Sequence, residues 1–420
     1  MKTVGVFGLA LATSALLGII LLGTVARWLT LDENAAFVAI WGVAFSGSSI
    51  VSVIEQEASR QVTLSQARRQ PVPGSVGQLA ILAVLGAAAA LVVLTFLPMG
   101  TRVFGGSLWL VALTFVSLTG FSVQFLVRGI LLGRRRVGWY AFVIVAEASV
   151  RVVAILVLML LGVEPSVTWA VVAVVVGSFG WVPVAKIAFT GVNWRRDLEP
   201  WRVAGRRIGL LAVANGLLAL MITGYPTTVT AVIGSSEGLA IFFAVVTVSR
   251  VPLTLLSPVQ ALVVPTTTKA LYEGRGDQLL AMQGKILLGV LGFGVTAAAG
   301  GFLLGPWAVK LLFGQNYVAT REMVAILLGV TVVMGGALLQ AAVFTSLERY
   351  SLTLVTWGTS AAATIAALAF TPGDAAVRGT AGFIAASVVG YLISSVLLRW
   401  ALSRVRPGVE SFSADQPGQV

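Results

Sequence analysis

Long apolar runs separated by short polar breaks set the rhythm of this chain. Runs of about 20 residues, enough to cross a bilayer, recur at 4–26, 35–54, 77–98, 107–131, 138–162 and 166–190. Six more follow at 207–232, 239–264, 284–304, 322–346, 352–371 and 379–402. The pattern predicts twelve membrane-spanning helices joined by loops too brief to hold a soluble domain. The connection GVNWRRDLEPWRVAGRR at 191–207 divides the chain into two halves. The expected organisation is a six-helix lobe over 1–190, a linker over 191–206, a second lobe over 207–405 and a disordered tail over 406–420.

Composition agrees. Of 420 residues, 58% are hydrophobic and 10% charged, with mean hydropathy +0.97. A soluble chain carries roughly a quarter of its residues as charges. The opening MKTVGVFGLALATSALLGIILLGTVARW is about twice the usual signal core and reads as the first span rather than a cleaved leader.

The net charge of +12 is a matter of topology rather than of nucleic acid. With both ends in the cytoplasm, twenty-one Lys and Arg fall on that face and five on the other, leaving Arg151 and Arg250 within the membrane. There is no cysteine and no histidine, which removes thiol nucleophiles, Cys/His metal sites and a His base. No cofactor is expected, and no enzyme.

The halves carry a faint repeat. PMGTRVFG (98–105) is the expected loop between spans three and four, and PWAVKLLFG (306–314) the expected loop between spans nine and ten. Both begin with Pro, place a base four residues on and end Phe-Gly. Two similarly oriented six-helix halves point to an alternating-access transporter.

Three stretches carry a resemblance: ARWLTLDENAAFVAI (26–40), LVRGILLGRRRVGWY (126–140) and LLFGQNYVA (311–319). Through them the chain resembles the polysaccharide flippases of the multidrug/oligosaccharidyl-lipid/polysaccharide (MOP) exporter superfamily. It departs at Thr30, usually Gly there, and at Asn34-Ala35, usually Tyr-Gly. The resemblance implies an all-α integral membrane fold: twelve helices in two lobes around a central cavity, as in multidrug and toxic compound extrusion (MATE) transporters. It also implies lipid-linked sugars as cargo at the bacterial inner membrane. The implied partners are membrane lipid, a lipid-linked glycan and glycosyltransferases or a polymerase of the same pathway.

The charges within the spans are the candidate site. Glu147 and Arg151 share one face of span five at i and i+4. Arg151 lies about 20 Å from the start of its span, past mid-membrane, where an exposed charge is costly. Two readings stay open: a self-neutralised structural pair, or a cationic wall for a phosphate-bearing substrate. Arg250, in IFFAVVTVSRVPLTLLSPVQALVVP, has no carboxylate at i±4 and needs an external partner. That partner is either substrate pyrophosphate or Glu55, Glu57 or Glu147 of another helix. Gln124 with Arg128, and Arg60 near Glu55 and Glu57, offer further polar faces at a basic mouth, or only snorkel to the interface. Pro226, Pro252, Pro258 and Pro265 cluster in or beside spans seven and eight, predicting bent helices there.

The leading expectation is a flippase for a polyprenyl-(pyro)phosphate-linked oligosaccharide or related glycolipid. The alternative is a MATE-type drug/cation antiporter of the same fold. Against it, spans one, seven and eight contain no interior Asp or Glu to couple a cation.

Overall fold

The computed structural model describes residues 2–193, 201–234, 236–253, 256, 263, 267, 276–347 and 349–403. The middle of the expected linker, Pro258, Pro265 and the tail over 406–420 lie outside the described residues. The first half forms α1 (Lys2–Trp28), α2 (Leu31–Val51), α3 (Val53–Ala67), α4 (Ser75–Phe96), α5 (Pro98–Phe104), α6 (Leu108–Gly133), α7 (Val137–Leu160), α8 (Val167–Gly177) and α9 (Ala185–Phe189). The second forms α10 (Trp201–Ile222), α11 (Tyr225–Ile233), α12 (Glu237–Ser249), α13 (Gly276–Phe313), α14 (Arg321–Ser346), α15 (Tyr350–Phe370) and α16 (Ala375–Ser403).

Among the described residues, nine helical stretches are long and apolar enough to cross a membrane, and two further spans are bent pairs. The eighth expected span appears as the shorter apolar helix Gly238–Leu253, whose continuation lies outside the described residues. Apart from a two-residue parallel pairing of Val72–Pro73 with Val192–Asn193, the regular elements among the described residues are helical, consistent with a multi-pass protein of twelve spans. Its outward side chains fit a lipid solvent: exposed Leu, Val, Ile and Phe recur along the spans, among them Leu85, Val93, Val153, Leu288, Val295 and Leu392.

Both bent pairs have a local cause. Span three turns by 98° between Phe96 and Pro98. Pro98 takes the first helical turn of α5, where its missing N–H costs nothing. Gly100 then lies against the Leu94 carbonyl, where a Cβ would sit 1.9 Å from the oxygen. Span seven turns by 74° between Ile222 and Tyr225, with Gly224 at the break and Pro226 starting α11. Pro226 thus marks a break. The two short helices α5 and α11 pack together.

PMGTRVFG and PWAVKLLFG are helical rather than loops. The first is α5, and the second is the end of α13, which runs unbroken through Pro306 to Phe313. Both finish on a glycine at positive φ, Gly105 at +58° and Gly314 at +111°, a backbone that side chains resist. Phe104 and Phe313 are buried beside them.

Thr30 also has a physical role. Its hydroxyl accepts from the Glu33 backbone N–H while the Glu33 carboxylate accepts from the Thr30 N–H, closing a capping box at the start of α2.

The chain forms two compact units. One comprises Met1–Thr247, Trp307–Ala319 and Leu368–Gly379; the other comprises Val248–Pro306, Thr320–Ala367 and Thr380–Val420. In the first, α1 packs on α7, α3 on α6 and α10 on α2. Gly129 and Gly133 let α3 and α6 approach closely, since a Cβ at Gly129 would stand 2.6 Å from the Glu55 carbonyl oxygen. In the second, Gln340 of α14 bonds to Ser394 and Ser395 of α16, and Gln283 of α13 donates to the Ser395 carbonyl at 2.9 Å.

Candidate functional site

Glu147 and Arg151 meet within α7. The Arg151 Nη2 lies 2.6 Å from the Glu147 carboxylate, and Nε donates to the Glu147 backbone carbonyl at 3.3 Å. Gln124 on α6 donates to the second carboxylate oxygen at 2.6 Å. The guanidinium also rests 5.4 Å from the Trp41 ring and 5.0 Å from Phe45, a cation–π contact to α2. Both charged residues are buried, at 7% and 4% exposure. A helix of bulkier residues could not cover them: a Cβ at Gly177 would fall 2.0 Å from the Arg151 Cγ, and one at Gly180 would fall 2.8 Å from the Glu147 N. Gln124, Glu147 and Arg151 are therefore one cluster held by four helices.

Arg128 belongs to a second cluster. Although one turn from Gln124, it pairs with Glu55 at 3.0 Å instead. Tyr140 bridges the two, accepting from Arg128 at 3.0 Å and donating to Glu55 at 2.6 Å. Arg60 forms a third, holding Glu57 through Nε at 3.1 Å and Nη2 at 2.7 Å, a bidentate geometry suited to the planar fork. Gln61 donates to Glu57 at 2.9 Å and accepts from Ser75 at 2.9 Å. The three acids weighed as partners for Arg250 thus each hold an arginine of the first unit.

Arg250 lies in the second unit, just past α12. Its Nε and Nη2 are buried and have no hydrogen-bond partner among the described residues. A buried guanidinium with unmet donors calls for an anion or water.

Spacing along one helix makes Glu147–Arg151 and Glu57–Arg60 legible, but not Glu55–Arg128, nor the roles of Tyr140, Trp41, Phe45, Gly177 and Gly180. The signals were present: aromatics at i and i+4 in WGVAF, and two glycines facing the charged turn in VVVGSFGW.

Arg27, Arg102 and Arg378 serve helix ends. Arg102 donates to the Ala231 and Val232 carbonyls at the end of α11, at 3.0 and 2.8 Å. Arg27 donates to the Leu311 carbonyl near the end of α13, and Arg378 to the Leu368 carbonyl of α15 at 2.6 and 2.8 Å. Free carbonyls and the negative end of the helix dipole hold each cation in place. Two of the three resemblance stretches also meet here. Tyr317 of LLFGQNYVA donates to the Ala26 carbonyl at 3.4 Å, and burial pushes its hydroxyl up to about 12 despite a hydrogen bond with Asn34.

Solved structures share this fold. An inward-facing multidrug resistance MATE family transporter of the MOP superfamily superposes with TM-score 0.69 at 14% identity, over 93% of this chain and 96% of that one. A MOP superfamily transporter from Pyrococcus furiosus, whose binding pocket of reverse polarity suggests a different function, matches with TM-score 0.61 at 15% identity, over 96% and 95%. The chain has the MOP superfamily transporter fold, and the neighbours are transporters rather than enzymes.

Among curated proteins, an uncharacterized protein of Mycobacterium tuberculosis strain H37Rv is 27% identical over 368 residues, covering 82% of this chain and 81% of the relative. A second from that strain is 26% identical over 288 residues, covering 67% and 65%. No protein-family profile matches the chain.

Proposed function

We propose that the protein is a flippase that carries a polyprenyl-(pyro)phosphate-linked oligosaccharide, or a related glycolipid, from one leaflet of the bacterial inner membrane to the other. Both termini lie in the cytoplasm, and transport proceeds by alternating access without bond chemistry. Arg250 carries this reading: its Nε and Nη2 are buried and without a hydrogen-bond partner among the described residues. A pyrophosphate supplies what those donors lack, and a planar fork matches its oxygens. Arg60, Arg128 and Arg151 each hold a carboxylate, so each is already neutralised by its own partner and is less available to an anionic head than Arg250.

The second reading, a MATE-type drug/cation antiporter, is favoured by the multidrug exporters among the fold neighbours. Its cationic cargo needs an available buried acid, yet Glu55, Glu57 and Glu147 each already hold an arginine. Deleting the gene separates the two. A flippase leaves a lipid-linked glycan accumulating on the cytoplasmic leaflet, whereas an exporter leaves glycolipids unchanged and alters toxin resistance.

A further inference from the structure

A cavity of about 650 Å³ lies within the first unit, between α2–α3, α4 and α10. That volume falls in the range of about 300–1,000 Å³ typical of small-molecule sites. Its wall is hydrocarbon, from Val43 and Ile54 on one side through Ala83, Ala90 and Leu94 to Leu220. The lining includes two serine or threonine side chains, and both are spent. Ser46 donates to the Ala219 carbonyl at 3.5 Å, and Thr227 to the Ala39 carbonyl at 2.6 Å. Water needs two to four polar partners and finds few there.

The two ends of the cavity differ. At one end lie Leu94 and Leu220, each directly before a helix break, with Thr227 just beyond. Thr227 of α11 borders this end, and α11 is tied to α5 by Arg102, which donates to the last carbonyls of α11. At the other end is Ile54, whose strip of α3 continues at i+3 and i+7 into Glu57 and Gln61. There the Glu57–Arg60–Gln61–Ser75 network begins, with the Arg60 side chain 32% exposed. The cavity is apolar along its length, meets Thr227 of α11 at one end and is bordered by a charged network at the other.

We infer that this cavity holds a hydrocarbon chain of the transported amphiphile, with the chain end near Thr227 of α11 and the opposite end of the chain towards Ile54. The inference rests on the flippase reading and adds to it: the protein selects its cargo by the lipid tail as well as by the anionic head. Hydrocarbon is the surrounding solvent at this depth, so burying a chain that comes from lipid gains little from the hydrophobic effect. Selection therefore comes from shape: the groove between α2–α3, α4 and α10 rewards the chain that fits it.

Gly86 offers a clean test, because it lines the cavity and a Cβ there meets nothing within 4 Å. The full-length protein is reconstituted in phospholipid vesicles with a polyprenyl phosphate carrying a diazirine near its chain end. After photolysis the labelled peptides are mapped. The inference expects label on α4 and α10 around Ala90 and Leu220, displaced by excess unlabelled polyprenyl phosphate. Gly86→Leu should reduce that label at least fivefold and slow glycolipid export, while Gly18→Leu, outside the cavity and also with nothing within 4 Å of an added Cβ, retains both, and melting temperatures stay within a few degrees. A diazirine phospholipid that labels the cavity equally and is not displaced by polyprenyl phosphate overturns it, since the cavity then holds bulk lipid. Label confined to other helices overturns it too, even in a protein that exports glycolipid. Displaceable label in a protein that moves no glycolipid retains the chain site and fails the flippase reading instead.

Discussion

Glu147 and Arg151, one helical turn apart on α7, form a 2.6 Å ion pair buried against Trp41 and Phe45. Removing one partner leaves an uncompensated charge, which costs about 3–5 kcal/mol for a buried pair. Glu147→Gln or Arg151→Gln should each lower abundance and melting temperature sharply. The double variant should recover most of the loss, because neither charge is orphaned. Melting curves in one detergent check this, and strictly additive losses would show that the two do not act as a pair.

Gly129 should tolerate no side chain. A Cβ there meets the Glu55 backbone oxygen at 2.6 Å, and backbone cannot yield as a side-chain tip does. Gly129→Ala should destabilise by about 1–3 kcal/mol through overpacking. Gly138→Ala, where a Cβ meets nothing within 4 Å, is the control. Equal melting temperatures for the two variants would refute the close α3–α6 approach.

Tyr140→Phe removes the hydroxyl between Arg128 and Glu55 but leaves their direct 3.0 Å contact. The expected cost is about 1–3 kcal/mol, the penalty for leaving buried groups short of a partner. Glu55→Gln in the same protein should cost more, since Arg128 then loses its counter-charge. Thermal unfolding of both variants orders them, and the reverse order would contradict the bridge.

The topology is testable because the chain contains no cysteine. A cysteine at Gly74 should react with an impermeant thiol reagent only from the cytoplasm, and one at Gly105 or Asp374 only from outside. Labelling of the Gly74 position in intact cells would invert the proposed orientation.

Apolar run length made the spans legible, because a bilayer imposes one length on every crossing helix. It also made PMGTRVFG and PWAVKLLFG look like loops. Run length measures where hydrocarbon ends, whereas a helix can run past that point, as α13 does through Pro306 although the proline itself donates no backbone bond. Spacing along one helix placed Glu147 beside Arg151 but grouped Gln124 with Arg128. The structure parts those two because each is claimed by a different acid on a neighbouring helix. Pairings such as Glu55 with Arg128, 73 positions apart, follow from helix packing, which a single helical wheel does not contain.

Arg250 decides the central claim. Glycolipid export, protein abundance and melting temperature are measured together for wild type, Arg250→Ala and Arg250→Lys. If Arg250 binds the pyrophosphate, Arg250→Ala keeps abundance and melting temperature but loses export at least tenfold. Arg250→Lys retains partial export, since charge survives while the planar fork is lost. A fully active Arg250→Ala protein, or one that fails only because it no longer folds, would contradict the account.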